Sequence, residues 1–339
     1  MSEKTVAILG ATGVVGQQML QCLEERAFPV GRLVPLASQR SVDAGRTVRF
    51  AGEDVPVRLA EPDAFEGVDI VLGAADDATA RELLPEAARR GAVCVDNSHA
   101  FRLEEDVPLV VPEINASDIA DHPRGIIANP NCATIIGLVP VWPLHQAAGV
   151  TRLVVSTYQA ASGAGKPGLD ELVREIRCVA AGEEVGSSAP FQYQLAENLI
   201  PQIGGFREEG YTSEELKMQN EGRKIMHLPG LRVSCTCVRV PVVRSHSESI
   251  TAEFERPLSV DEARELLEAA PGVRVVDDPA ASRYPMPLET SDQDLVWVGR
   301  LRRDLSAPDG VSSLTFWCCG DQIRKGAATN AVQIAEHLL

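Results

Sequence analysis

The chain has 339 residues, of which 45% are hydrophobic, and a formal net charge of -16. This length and apolar content suffice for a large core and favour two domains, whereas the acidic balance argues against a nucleic-acid binder and against a partner for anionic membranes. The sequence has no apolar run of about 18 residues and no signal-peptide pattern, so we expect a cytoplasmic protein without a transmembrane helix.

Strands and helices alternate over the first part of the chain. The run at 5–9 predicts a short buried strand, and a helix pattern follows at 14–25. Further strands are predicted at 33–37, 68–73, 92–96 and 125–128, with a helix at 78–90. This alternation predicts a parallel, doubly wound sheet, so residues 1–131 are expected to form a Rossmann-type α/β domain that binds a dinucleotide.

Residues 132–320 follow a different pattern, in which Val- and Thr-rich runs predict longer strands. These strands are predicted at 152–158, 234–241, 249–254, 296–301 and 312–319, and helices at 168–181, 212–225 and 260–270. The pattern indicates an α+β domain with a mostly antiparallel sheet. Residues 183–210 lack periodicity and predict a long packed loop. An amphipathic helix at 323–339 is expected to rejoin the first domain, in a segment that begins near residue 321.

A glycine-rich loop joins the first predicted strand to the first predicted helix. Glycines permit a tight turn and let the backbone approach a pyrophosphate, which the helix N-terminus then faces. The same spacing could serve helix–strand packing alone, but the strand–loop–helix context favours a dinucleotide. The cofactor-binding residues predicted here are Gly10, Thr12, Gly13, Val14, Val15 and Gly16.

The segment after the second strand indicates which dinucleotide is bound. NAD-binding domains usually have a carboxylate at this place, on the ribose hydroxyls. Here the segment contains Ser38, Arg40 and Ser41 instead. Hydroxyls and a guanidinium suit a 2′-phosphate, so we predict that these three residues bind NADP; an ordinary polar loop is the alternative.

One of the eight cysteines stands out by its position. The cysteines are scattered without zinc-ligand spacing, so no metal site is predicted. Cys132 follows a predicted strand and the turn Asn129-Pro130-Asn131, and it begins a helical run. A thiolate at a helix N-terminus is stabilised by the dipole and by free N–H groups, and it attacks carbonyls well. This context favours a nucleophile over a buried structural thiol.

A second group of chemically active residues lies near the end of a predicted strand. Arg239 falls within the strand and His246 lies just past its end. A thiol nucleophile needs a base with a pKa near neutrality, which histidine commonly supplies. An arginine suits bidentate binding of a carboxylate. Each residue alone could be an ordinary core or surface side chain.

These motifs together resemble the bacterial aspartate-semialdehyde dehydrogenase family from end to end. The matching stretches are GATGVVG at 10–16, DNSHAFR at 96–102, VPLVVPEIN at 107–115, NPNC at 129–132, TYQAASGAG at 157–165, EELKM at 214–218, RVPV at 239–242 and RKGAATNA at 324–331. The resemblance implies NADPH-dependent reductive dephosphorylation of L-4-aspartyl phosphate to L-aspartate 4-semialdehyde. This step serves lysine, methionine, threonine and diaminopimelate biosynthesis. It also implies a homodimer or a dimer of dimers, joined through the second, catalytic domain.

The resemblance further implies a role for each site residue. Cys132 would be the nucleophile that forms a thioester, His246 the acid/base, and Gln159 the group that orients the acyl intermediate. Arg239 and Glu221 would bind the carboxylate and the amino group of the substrate. The phosphate would be bound by Arg102, Asn131 and Lys224, and the cofactor also by Ser162, Gly163 and Gln322.

Two departures and two alternatives bear on this interpretation. Asp43 stands beside the ribose-phosphate segment and could weaken binding of a 2′-phosphate, and Gln322 stands where Asn is frequent. N-acetyl-glutamyl-phosphate reductase uses similar chemistry, but its cysteine loop usually has Gly where this chain has Asn131. A non-catalytic dinucleotide-binding paralogue would be expected to lose Cys132 or His246, and both are present.

Overall fold

The computed structural model describes residues 3–187 and 189–339. Met1 and Ser2, which belong to the predicted first domain, and Ser188, which belongs to the predicted loop, lie outside the described residues. The chain forms two units, Met1–Asn131 with Ala327–Leu339, and Cys132–Gly326. No described helix is long and apolar enough to cross a membrane.

The helices and strands are numbered in chain order. The first unit contains β1 Lys4–Leu9, α1 Val14–Glu25, β2 Val30–Ala37, α2 Gln39–Asp43, β3 Thr47–Phe50, β4 Glu53–Pro56, β5 Arg58–Leu59, β6 Ile70–Gly73, α3 Asp77–Arg89, β7 Val93–Asp96, α4 Pro112–Asn115 and β8 Ile126–Ala128. The second unit contains α5 Cys132–Ala148, β9 Val150–Gln159, α6 Gly165–Ala181, α7 Ser213–Ile225, β10 Arg232–Arg239, β11 His246–Phe254, α8 Val260–Ala269, β12 Val273–Val275, α9 Pro287–Thr290, β13 Val296–Arg303 and β14 Ser312–Gly320. The last helix, α10 Thr329–Glu336, belongs to the first unit.

The first unit is built on a six-stranded sheet in the order β5-β2-β1-β6-β7-β8, whose described pairs are all parallel. Val6, Ala7 and Ile8 of β1 are fully buried, as expected for a strand covered on both faces. The strand order reverses between β1 and β6, and ligands bind at such a switch point, beyond the carboxyl ends of the strands. The predicted Rossmann-type fold is therefore confirmed.

The second unit is built on a mixed sheet in the order β10-β9-β11-β14-β13-β12. The three inner pairs are antiparallel, and the two outer pairs, β10 with β9 and β12 with β13, are parallel. The mostly antiparallel prediction therefore holds for the centre of the sheet. Gln159 and Arg239 are the last residues of β9 and β10, and His246 is the first residue of the antiparallel strand β11. These three residues therefore lie together at the same end of neighbouring strands.

The structure differs from the prediction in three details. His246 lies past the end of β10, as predicted, but it also begins β11, which starts three residues earlier than predicted. The polar segment after β2 forms the short helix α2. The predicted helix 323–339 begins with a π-helical turn at Arg324–Ala328, and its polar residues Lys325 and Asn330 are fully buried together with the predicted apolar residues.

Candidate functional site

The glycine loop of the first unit forms an open turn between β1 and α1. Gly10 has a φ of +86°, and a Cβ added there would lie 2.6 Å from the carbonyl oxygen of Ala74. A Cβ on Gly16 would lie 2.3 Å from the carbonyl oxygen of Gly10. Both positions therefore require glycine. Gly13 caps α1, whose first turn has no acidic residue, so the exposed helix N-terminus suits an anion.

The predicted ribose-phosphate residues lie at the end of β2 and the start of α2. Ser38 and Arg40 are exposed and Ser41 is buried, with the two serine hydroxyls 3.4 Å apart. The carboxylate of Asp43 accepts a hydrogen bond from Gln39 Nε2 at 2.7 Å. This bond orients the Asp43 carboxylate within its own helix and leaves its negative charge in place.

Two predicted phosphate-binding residues also belong to the first unit. Arg102 is buried, and its guanidinium donates to the backbone carbonyls of Asn129 and Asn97, each at 2.9 Å. Its orientation is therefore fixed by the loops that follow β8 and β7. Asn131 is also buried and directly precedes the nucleophile candidate in the chain.

Cys132 is the first residue of the 17-residue helix α5. All eight cysteines are free, and only Cys132 and Cys178 are partly exposed. A Cβ added to Gly326 would lie 2.9 Å from Cys132 Cβ, so the backbone that follows β14 packs directly against the thiol-bearing residue. Accessibility and the helix N-terminus distinguish this thiol from the six buried ones.

His246 and Gln159 lie next to each other where β11 begins and β9 ends. His246 is fully buried, its Nδ1 accepts a hydrogen bond from the Ala160 N–H at 3.0 Å, and its Nε2 lies 3.4 Å from Gln159 Nε2. Burial, followed by the positive charge of Arg239, lowers the pKa of His246 to about 3. His246 is therefore neutral at pH 7.

Arg239 is packed against the same histidine. Its guanidinium donates to the Ala160 carbonyl at 2.6 Å, and a Cβ on Gly163 would lie 2.8 Å from Arg239 NH1 and 3.2 Å from His246 Nε2. A side chain at position 163 would therefore press on both groups. Burial lowers the pKa of Arg239, while the negative charges of Glu214 and Cys132 oppose this effect, so both groups lie within electrostatic range of the guanidinium.

The remaining predicted cofactor residues of the second unit are linked to one another. Gln322 Nε2 donates to Ser162 Oγ, and Gln322 Oε1 accepts from the backbone N–H of Ser245 at 2.8 Å. The amide therefore joins the segment beside Gly163 to the residue that precedes His246. In this arrangement it fixes the loops around the histidine.

Two polar residues of this cluster were not predicted as site residues. Glu214 on α7 is buried, accepts a hydrogen bond from Gln159 Nε2 at 3.2 Å and forms an ion pair with Lys217 at 2.8 Å. The predicted Glu221 and Lys224 lie seven residues further along the same helix, about 10 Å away. A seven-residue repeat returns to the same helix face, so the sequence alone is compatible with either pair, Glu214 with Lys217 or Glu221 with Lys224. Only the packing of α7 distinguishes the two pairs.

One buried carboxyl group lies on β11 close to His246. Glu248, two residues after His246 on β11, is fully buried, and neither of its carboxyl oxygens has a hydrogen-bond partner among the described residues. A Cβ on Gly137 of α5 would lie 2.6 Å from Glu248 Oε2. Burial raises the pKa of Glu248 well above its usual value, and Cys237 and Glu214 raise it further. The side chain is therefore held as a neutral acid.

We expect that the free energy of unfolding of Glu248→Gln falls less with rising pH than that of the wild type. A carboxyl whose pKa is raised by folding binds more protons in the folded state, so the free energy of unfolding falls as pH rises above about 4.5, by up to about 1.4 kcal/mol per pH unit, until the raised pKa is reached. Glutamine is nearly isosteric and does not titrate. Denaturation midpoints of both proteins between pH 5 and pH 8 should diverge in favour of the variant, and parallel midpoints would contradict the prediction.

The chain is similar to one family over most of its length. Residues 5–122 match the NAD-binding domain of semialdehyde dehydrogenases, and residues 141–325 match their dimerisation domain. The chain is 49% identical over 336 residues to the aspartate-semialdehyde dehydrogenase of Aquifex aeolicus, with 98% of this chain and 97% of that protein covered. It is 46% identical over 340 residues to that of Bacillus subtilis, with 98% and 96% covered.

Solved structures also match the chain over nearly its whole length. The crystal structure of aspartate semialdehyde dehydrogenase II complexed with ASA from Vibrio cholerae matches with a TM-score of 0.95 and 42% identity, over 100% of this chain and 98% of that one. Aspartate semialdehyde dehydrogenase with NADP from Candida albicans matches with a TM-score of 0.76 and 26% identity, over 99% and 98%.

Proposed function

The chain belongs to the aspartate-semialdehyde dehydrogenase family, and we propose that it reduces L-4-aspartyl phosphate to L-aspartate 4-semialdehyde with NADPH and release of phosphate. The observation that carries the proposal is one cluster in the second unit. A partly exposed thiol begins α5, its charge is coupled to Arg239, and Arg239 packs against the same glycine as His246. A nucleophile, a carboxylate-binding group and a polar hydrogen-bond group are the components that this reaction requires.

The residues of the first unit fit the proposed cofactor. A glycine turn that any Cβ would obstruct, an N-terminus without acidic residues, and Ser38 and Arg40 exposed at the end of β2 suit a dinucleotide with a 2′-phosphate. When bound, NADPH supplies a hydride to the acyl carbon. In the second unit, Ser162 and Gly163 would border its nicotinamide end, and Gln322 would hold that border in place.

The chemistry proposed for Cys132 is formation of a thioester. The guanidinium of Arg239 and the N-terminus of α5 favour the thiolate. The sulfur attacks the acyl carbon, the carbonyl electrons move onto oxygen, and phosphate departs with the electron pair of the broken C–O bond. Arg102 and Asn131 would bind the phosphate, and the backbone carbonyls that hold Arg102 fix the direction of its guanidinium.

We propose that the two charged ends of the substrate are recognised by opposite charges of the second unit. Arg239 presents a planar guanidinium that suits the α-carboxylate. Glu214 supplies one buried negative charge in contact with Gln159 and coupled to Arg239, so we propose that Glu214 binds the ammonium group. The predicted Glu221 on the same helix is also buried and is the alternative. Lys217 forms an ion pair with Glu214 at 2.8 Å, so Lys224 remains the cation proposed for the phosphate.

We expect Glu214→Gln to raise KM for the semialdehyde roughly thirtyfold, because a charge-assisted hydrogen bond to the ammonium is lost. Glu221→Gln is the matched control on the same helix and should raise KM less than threefold. Steady-state kinetics of the two purified variants decide the assignment. A larger effect at Glu221 would restore the prediction made from sequence.

The second unit also offers a surface suited to a second copy of the chain. Helices α5, α7 and α8 pack on one face of its sheet. On the other face, Val154 is exposed, and Tyr158 stacks at a tilt on Trp317 with ring centroids 5.3 Å apart. Because residues 141–325 match a dimerisation domain, we propose that this face forms the homodimer interface. A dimer of dimers is a second state that size measurements in solution would distinguish.

The experiment that tests the function runs the reaction in reverse. Purified protein is given L-aspartate 4-semialdehyde, NADP and inorganic phosphate, and NADPH formation is followed by absorbance. We expect turnover that requires phosphate and is much slower with NAD. Turnover with N-acetyl-glutamate semialdehyde in place of the aspartate compound would favour the alternative reductase, and a folded protein that binds NADPH without any turnover would favour a non-catalytic role.

A further inference from the structure

Helix α6 buries a carboxyl group beside an apolar cluster. Glu175 of α6 is fully buried, and its Oε2 accepts hydrogen bonds from the backbone N–H groups of Leu195 and Ala196, each at 2.8 Å. Its Oε1 has no hydrogen-bond partner among the described residues. Burying a polar group beside apolar side chains costs free energy, so the two bonds to the backbone are what the fold gains from this residue. The apolar cluster consists of Ala161, Leu172, Phe191, Leu195, Ala196 and Ile200.

The two N–H groups belong to residues 191–200, a segment that we call the strap. The strap forms no helix and no extended strand of its own, so its buried N–H groups need acceptors from elsewhere. The Asn198 N–H donates to the Leu195 carbonyl at 3.0 Å and closes a tight turn. Within this turn Glu197 has a φ of +62°, a left-handed conformation that residues with a Cβ rarely adopt. The turn is therefore strained, and the bonds to Glu175 stabilise it.

The far end of the strap pairs with the arginine proposed to bind the substrate. The Ile200 N–H donates to the Arg239 carbonyl at 3.0 Å, and the Arg239 N–H donates to the Ile200 carbonyl at 2.9 Å. Arg239 ends β10, the outermost strand of its sheet, so Ile200 covers the outer edge of the sheet at this residue. The backbone of Arg239 is therefore fixed from outside the sheet, by a residue that follows closely on those bound to Glu175.

We propose that Glu175 is a positioning residue for substrate binding: it anchors the strap, and the strap sets the place of Arg239 and so the affinity for the α-carboxylate. This inference rests on the proposed function and extends it to α6. The guanidinium of Arg239 donates to the Ala160 carbonyl at 2.6 Å. A shift of the Arg239 backbone would strain that bond and change the direction of the donors left for the substrate.

Two substitutions at position 175 separate the anchor from the charge. Glutamine keeps an oxygen that can accept both backbone N–H groups, whereas leucine fills similar space without an acceptor. We expect Glu175→Leu to raise KM for L-aspartate 4-semialdehyde about tenfold, because a misplacement of about 1 Å can cost about a hundredfold. Its kcat and its KM values for NADP and phosphate should stay within about twofold of wild type, because Arg239 binds neither of these. Glu175→Gln should resemble the wild type in every constant.

Amide hydrogen exchange tests the anchor without turnover. Exchange is followed by mass spectrometry in peptides that cover residues 195–200 and 236–240. We expect faster exchange in both peptides for Glu175→Leu, and wild-type rates for Glu175→Gln and for the control Asp170→Leu. Asp170 lies on the same helix, exposed and in an ion pair with Lys166 at 2.7 Å. Wild-type exchange at 236–240 in Glu175→Leu would overturn the proposal, whereas a wild-type protein without activity would count against the proposed function alone.

A variant at the far end of the strap decides the matter even if Glu175→Leu does not fold. Ile200→Pro leaves Glu175 and its two bonds in place but removes the N–H that donates to the Arg239 carbonyl. We expect the same selective rise in KM for the semialdehyde. Because both variants break one link, the double variant should lie within about twofold of the larger single effect. Additive effects, or an equal rise of every KM in Ile200→Pro, would overturn the proposal.

Discussion

Replacing Cys132 with serine or alanine is expected to lower phosphate-dependent turnover by at least about a thousandfold, because neither side chain forms a thiolate. Nucleotide binding should be retained, since the glycine loop and α2 belong to the first unit and Cys132 to the second. The measurement is kcat/KM for L-aspartate 4-semialdehyde together with an NADPH titration by fluorescence.

Cys178→Ser is the matched control, because Cys178 is the other partly exposed thiol. It should leave turnover within about twofold of wild type. The thioester itself can be sought by mass spectrometry of acid-quenched wild-type protein, with the acyl mass located on the peptide that contains residue 132. Turnover of Cys132→Ala near the wild-type rate would refute covalent catalysis by this thiol.

The Rossmann-type unit could be predicted from sequence because its signals are local. The apolar run of β1 is buried on both faces, and the glycines follow it directly. The hairpin of β3 and β4 was not predicted, because its short strands contain charged residues and no continuous apolar run. The buried polar residues after β14 were not predicted either. Asn330 is buried because the Val110 carbonyl and Asn129 Oδ1 accept its hydrogen bonds, which no local pattern reveals.

In the candidate site, too, the features with local sequence signals could be predicted and those that depend on tertiary packing could not. Cys132 stands out in sequence, because a strand, a turn and a helix start frame it. Gln159, Arg239 and His246 lie in three different strands, and only the register of β9 with β10 and β11 brings them together. The choice between Glu214 and Glu221 depends on which turn of α7 faces Gln159. The sequence contains no signal for this choice.

Arg239→Lys is expected to lower kcat/KM for the semialdehyde roughly thirty- to hundredfold, mostly through KM. Lysine keeps the charge but loses the planar pair of donors that suits a carboxylate, a loss of about 2 to 3 kcal/mol. One donor of Arg239 already binds the Ala160 carbonyl. The shorter lysine ammonium group cannot bind both that carbonyl and the substrate carboxylate in the same geometry. Steady-state kinetics with both substrates varied in turn give the measurement.

Arg232→Lys, at the exposed start of the same strand, is the control and should change kcat/KM less than twofold. The arginine at 232 lies 3.9 Å from Glu253 and is largely exposed, so its ion pair contributes little. Arg239→Lys should also disturb His246, because the cation beside the ring would move. If KM and kcat of Arg239→Lys both equal the wild-type values, the guanidinium does not bind the substrate, and its packing against Gly163 and His246 serves the fold alone.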